Sequence, residues 1–164
     1  MGQKADFTHF DDSGRARMVD VSSKPDTVRE AVARGSIIVK TETLRAIKSG
    51  VVKKGDVLAV ADVAAVMTAK KTPEIIPMCH PIALSGVEVD FSDKELDGDR
   101  AEVTITVTTR CTGPTGVEME ALTAVSGALL TIYDMCKSAD KTMTIQGIEL
   151  LEKKGGRSGH WKKQ

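Results

Sequence analysis

At 164 residues the chain is the size of a single domain, and a chain of that length buries roughly 70% of the surface it exposes when unfolded. Hydrophobic residues make up 41% and charged residues 28%, an ordinary soluble composition, but aromatics are only 3%, so the core has to be aliphatic. The 23 basic residues balance 23 acidic ones, which removes any global pull toward nucleic acid or anionic lipid.

The three cysteines, Cys79, Cys111 and Cys136, form no CxxC pair and no even framework, as expected of free thiols in a reducing compartment. The N-terminus (MGQKADFTHFDD) carries charge where a signal peptide needs an apolar run. The uncharged runs also fall short of the roughly 20 residues that span a bilayer. These features lead us to expect a cytoplasmic protein without a membrane or nucleic-acid partner.

Residues 1–25 are polar and irregular and read as a flexible arm. A single α+β domain is expected over 26–152, followed by a basic, glycine-rich tail over 153–164. DTVREAVARG predicts a short helix capped by Asp26 and stopped at Gly35, and SIIV a brief strand. TETLRAIKSG predicts a second helix closed by Gly50. After Gly55-Asp56, the alanine-rich run DVLAVADVAAVMTAKK predicts a buried helix over 57–70, with Lys70-Lys71 suited to its C-terminus. Pro73, Pro77 and Pro81 argue against regular structure through TPEIIPMCHP.

A hairpin follows. Val87, Val89 and Phe91 alternate with acids, Val103, Ile105 and Val107 alternate with threonines, and Asp97-Gly98 supplies the turn. Next comes a long helix within TGVEMEALTAVSGALLTIYDMCKSADK, then the strand MTIQGIELLE, where Gly147 marks a bulge. The order β-β-α-β in the C-terminal half predicts helices on one face of a largely antiparallel sheet.

The long helix raises the functional question. Ala121 to Tyr133 carry no charge, yet Glu118 and Glu120 stand at one end and Asp134 and Lys137 at the other. Thr115 to Glu118 fits a capping box, which would give Glu118 a structural role. Glu120 has no such role. It lies within roughly 40° of Asp134 around the axis but about 21 Å from it along the axis. Two groups that far apart share a site only if the ligand is long or a second copy of the helix runs antiparallel. Self-association would also bury an all-round apolar middle.

Asp134 and Lys137, three residues apart, are either a surface ion pair or an acid-base couple in which burial lowers the lysine pKa. His80, in MCHP, cannot be helical. Cys79 beside it is poorly placed as a second metal ligand, and a rigid loop presenting one imidazole to a ligand fits better. Basic clusters at Lys53-Lys54, Lys70-Lys71 and Lys153, Lys154 and Arg157 are either solvated or anion-binding. Lys54 precedes a helix N-terminus, where backbone N–H groups favour anions.

GRARMVDVSSKPDTVREA, KKGDVLAVADVAAVMTAKKT, IPMCHPIALSGVEVDF, TGVEMEALTAVSGALLTIYDMCKSADK and LLEKKGGRSG together closely resemble the MoaC family, the cyclic pyranopterin monophosphate synthases of molybdenum cofactor biosynthesis. The resemblance implies a ferredoxin-like α+β fold and a hexamer built as a trimer of dimers, with active sites at subunit interfaces. It implies a phosphorus-oxygen lyase that converts 3′,8-cyclo-7,8-dihydro-GTP and releases pyrophosphate, with no metal or organic cofactor. Carried over by motif, Asp134, Lys54 and Lys137 would be catalytic. Met78, Cys79, His80, Glu118, Met119 and Glu120 would contact the substrate, with Arg29, Lys70 and Lys153 near its phosphates. Arg157 stands where the family pattern has lysine, and Pro114 stiffens the approach to the long helix.

Two other classes deserve comparison. A non-catalytic ferredoxin-like nucleotide-binding or assembly module would tolerate loss of Lys54, Asp134 and Lys137. An RNA-binding sheet would need stacking aromatics and positive charge, but the hairpin offers only Phe91 and the chain is neutral.

Overall fold

The computed structural model describes residues 9–10, 13–50, 55–157 and 159–164. Its first element is a strand, β1 (Thr27–Lys40), followed by helices α1 (Thr41–Ser49), α2 (Val57–Lys70) and α3 (Thr72–Ile75). Strands β2 (Leu84–Leu96) and β3 (Arg100–Gly113) form a hairpin, followed by α4 (Glu118–Cys136), β4 (Thr144–Lys154) and the short β5 (Trp161–Lys162). The sheet is antiparallel in the order β2-β3-β1-β4-β5, so β1 to β4 have the arrangement of an α+β ferredoxin-like fold.

The segment read as a helix over Asp26 to Arg34 is instead the first half of β1, paired with β3 from Thr27↔Gly113 to Lys40↔Arg100. Glu, Ala and Arg favour a helix locally, but tertiary packing overrides them. Ala31, Ala33, Ile37 and Val39 are buried on one face of the sheet. Gly35 is not a helix stop. A Cβ there would come within 2.8 Å of Val125 Cγ1 and 2.9 Å of Leu129 Cδ1, so glycine lets α4 lie close against the central strand.

The two early helices follow the sequence reading. Gly50 ends α1 in the left-handed region at φ 68, and Asp56 caps α2 by accepting from Leu58 N at 3.1 Å and Ala59 N at 3.0 Å. Pro73 does not prevent α3. It occupies the first turn, where its missing N–H costs nothing. The hairpin has the expected alternation, with Val89↔Val107 and Phe91↔Ile105 in register and Gly98 at φ 74 in the turn. Gly147, at φ 63, lies where the β1–β4 register slips between Arg34 and Ser36, which is the expected bulge.

The apolar middle of α4 is buried by the fold itself, between β1, β3 and β4 on one side and α2 on the other. Gly127 allows the close approach, since a Cβ there would meet Thr68 Oγ1 at 2.2 Å. The chain leaving α2 returns to place Met78–His80 beside Met119 and Glu120, so α2 and α4 are antiparallel. The core is aliphatic, centred on Ile37, Ile105, Leu129 and Ile132.

Beyond the foot of α4, the buried Asp140 carboxylate accepts from Lys40 N at 2.7 Å and from Thr142 N and Oγ1 at 2.9 and 2.7 Å. That contact fixes the loop after Lys137 to the end of β1. The tail turns back along the sheet edge, with Lys153↔Trp161 paired. No helix among the described residues is long and apolar enough to cross a membrane.

Candidate active site

The head of α4 forms the floor of two clefts that share Lys24, Thr115, Gly116 and Glu118 and therefore make one trough. One arm, of about 380 Å³, is lined by Met78, Cys79, His80, Met119 and Glu120. The other, of about 500 Å³, is lined by Arg29, Lys153, Lys154 and Arg157 around the Gly155-Gly156 turn. A less polar arm joined to a cationic arm suits an elongated ligand with a ring system and an anionic end.

Glu120 is 3% exposed, and burial together with the nearby Glu118 raises its carboxyl to about 6. It can therefore hold or accept a proton near neutral pH. Cys79 is also raised, mainly by burial and then by Glu120, which disfavours the thiolate. His80 Nε2 lies 2.7 Å from the Val19 carbonyl.

The expected capping box is not formed. Val117 is the N-cap, with no side-chain cap hydrogen bond, and Glu118 instead pairs with Lys153 at 3.0 Å across the junction of the two arms. Gly116 makes room for it, because a Cβ there would meet Glu118 Oε2 at 1.9 Å.

Arg29 lines the cationic arm but is tied down, donating from Nε to Gly113 O and from Nη2 to Pro114 O, both at 3.2 Å. Its guanidinium also packs under the tail turn, where a Cβ on Gly156 would come within 1.6 Å of Nη1. Arg29 therefore builds the cationic arm as well as charging it.

The remaining predicted residues lie elsewhere. Asp134 and Lys137 form an ion pair at 2.5 Å at the foot of α4, with both side chains more than half exposed. The hydrogen bond to Asp134 raises the Lys137 pKa, the reverse of the shift expected for a buried catalytic lysine. Glu120 and Asp134 do not share an environment, since the first is buried and the second exposed. Lys70, in the last turn of α2, is exposed and lines neither arm. Lys54 lies outside the described residues.

Sequence reasoning missed the contribution of the N-terminal segment, whose His9, Val19, Val21 and Lys24 wall the less polar arm. The alternation Val19-Asp20-Val21 was its one local signal. Among the described residues, no group of three His, Cys, Asp or Glu side chains is placed to hold a metal.

Residues 18–156 match the model of the MoaC family. The chain belongs to the MoaC family. It is 56% identical over 154 residues to a cyclic pyranopterin monophosphate synthase of Natranaerobius thermophilus, covering 94% of this chain and 95% of that protein. Proteins of the same name from Chloroflexus aggregans and Geobacillus kaustophilus are 57% and 54% identical over 158 residues. Those matches cover 96% of this chain and 94% and 97% of the two relatives.

Proposed function

We propose that this chain acts in molybdenum cofactor biosynthesis as a cyclic pyranopterin monophosphate synthase, a lyase acting on 3′,8-cyclo-7,8-dihydro-GTP. Near full-length identity to synthases of that name supports the activity. The observation that carries the substrate is the joined trough, with Lys153, Lys154 and Arg157 in one arm and His80, Met119 and Glu120 in the other. The cations suit a triphosphate and the charge left on departing pyrophosphate. Closing the cyclic phosphate forms one P–O bond at the α-phosphorus from a hydroxyl of the rearranged substrate, while the α–β P–O bond breaks and pyrophosphate leaves. Rearranging the purine into the pyranopterin needs repeated proton transfers, for which Glu120 and His80 are suited, with Lys54 and, once a partner chain buries it, the Asp134–Lys137 couple.

The second half of the reading is a homo-oligomer, a trimer of dimers, in which the foot of one chain's α4 completes the trough of another. Two features support it. Asp134 and Lys137 lie about 20 Å from the trough along α4. Val60, Val63 and Met67 also stay exposed along one face of α2, with Leu130 exposed on α4, an apolar surface that a partner would bury.

The test is anaerobic release of pyrophosphate from 3′,8-cyclo-7,8-dihydro-GTP by the purified protein. Turnover by the wild type, lowered about 100-fold or more in Lys54→Ala and Asp134→Asn, is the expected result. A folded wild type that binds the nucleotide without releasing pyrophosphate would leave a binding module and end the lyase reading.

A further inference from the structure

Of the N-terminal segment, the described residues 9–10 and 13–24 lie along the less polar arm of the trough as a strap. Arg17 N donates to His9 O at 2.8 Å, Phe10 and Ala16 form an antiparallel bridge, and the half-buried Val19 and Val21 face the trough. A hydrogen bond joins the strap to the loop that precedes β2: His80 Nε2 lies 2.7 Å from Val19 O. A carbonyl oxygen can only accept, so Nε2 must carry a proton. In the neutral ring the lone pair is then on Nδ1, which has no hydrogen-bond partner among the described residues.

From this geometry we infer that the Val19 carbonyl is a positioning group for His80, holding the ring as the Nε2–H tautomer so that Nδ1 is the nitrogen offered to the ligand. The backbone around the ring supports a fixed orientation. Cys79 N donates to Ile76 O at 3.0 Å, and Pro81 follows immediately, so the backbone fixes where the His80 side chain starts and leaves the Val19 contact to set the ring plane. A second-layer acceptor that fixes tautomer and ring plane is a general way to tune an imidazole, and a backbone carbonyl serves as well as a carboxylate. The strap is then part of the acid-base apparatus and not merely a cover. The inference rests on reading the trough as the substrate site.

The experiment is solid-state 15N NMR of the full chain labelled in its histidine rings, at a pH where they are neutral. The chain has only three histidines, and the signals of His80 are those lost in His80→Gln. The wild type is expected to show a protonated Nε2 and a bare Nδ1. In the full-length Val19→Gly/Val21→Gly variant, which strips both apolar anchors but keeps the carbonyl, the ring is expected to relax to a tautomer mixture. Its kcat for pyrophosphate release should fall about tenfold with KM little changed, while His80→Gln, which keeps a donor toward Val19 O but lacks Nδ1, should lose about 100-fold in kcat.

An Nδ1–H ring in the wild type, or an unchanged tautomer in the strap variant, overturns the inference. So does a strap variant that raises KM alone, since the strap would then only fill space. A wild type with the Nε2–H ring but no turnover counts against the reaction and leaves the positioning of His80 in place.

Discussion

Glu120 combines two demands that conflict. Its carboxyl is buried where it can reach a ligand, and burial penalises its charged form, so it titrates near 6 in the fold against 4.5 when exposed. The folded state therefore binds more protons than the unfolded state between those values, and stability falls as pH rises through that window. Glu120→Gln removes the penalty without changing the shape. It should stabilise the protein at pH 7 by up to about 2 kcal/mol and give no gain below pH 4.5. Chemical denaturation of both proteins across that range checks it, with equal differences at pH 4 and pH 7 counting against it. Activity should fall in the same variant, as expected where function is held at a cost in stability. Asp140 has the opposite balance. Burial alone would raise it, but hydrogen bonds from Lys40 N, Thr142 and Thr43 hold it below its ordinary value, so its contribution is lost only on acidification.

Packing between elements leaves little room for added volume, and Gly35 is the tightest point at which to test that. A methyl there meets Val125, Leu129 and the Ile148 side chain at 3.0 Å or less, so β1 and α4 must separate or change rotamers. Gly35→Ala should cost about 1–3 kcal/mol despite improving local propensity, read as a lowered denaturation midpoint at unchanged slope. The same contact explains why β1 was hard to see in the sequence. Ala31, Ala33 and Gly35 look like helix residues and a stop, but they are small because a helix lies across them. The hairpin was legible because Val103, Ile105 and Val107 repeat every second residue with a turn signal at Asp97-Gly98, all of it local. The α2 helix was legible because its alanine-rich run is too long for a strand, and the structure buries Ala61, Ala65 and Ala69 along one face of it. Glu118 misled because a capping box needs only sequence spacing, whereas its real partner, Lys153, is brought in from β4 by the fold. The strap was illegible for the same reason: nothing near Val19 in sequence points to His80.

For the whole molecule, the spacing along α4 is the decisive quantity. Its head carries the trough and its foot carries Asp134 and Lys137, and roughly 20 Å along the helix axis separates them. On the proposed reading, each chain holds only part of a site at either end of α4, and an isologous contact that pairs unlike ends of two copies would complete it. That arrangement predicts intersubunit complementation. Glu120→Gln damages the head and Asp134→Asn the foot, and each protein alone should be inactive. When the two are unfolded together, mixed in equal amounts and refolded, a site with an intact head from one chain and an intact foot from the other arises at random in about a quarter of cases, so about a quarter of wild-type activity should return. Glu120→Gln mixed with His80→Gln, two head variants, should recover nothing, because every trough then carries a lesion. Recovery in the first mixture alone places the site between chains. A first mixture as inactive as the second would mean that head and foot of one chain must both be intact for turnover, and the exposed stripe of Val60, Val63 and Met67 would need a different explanation.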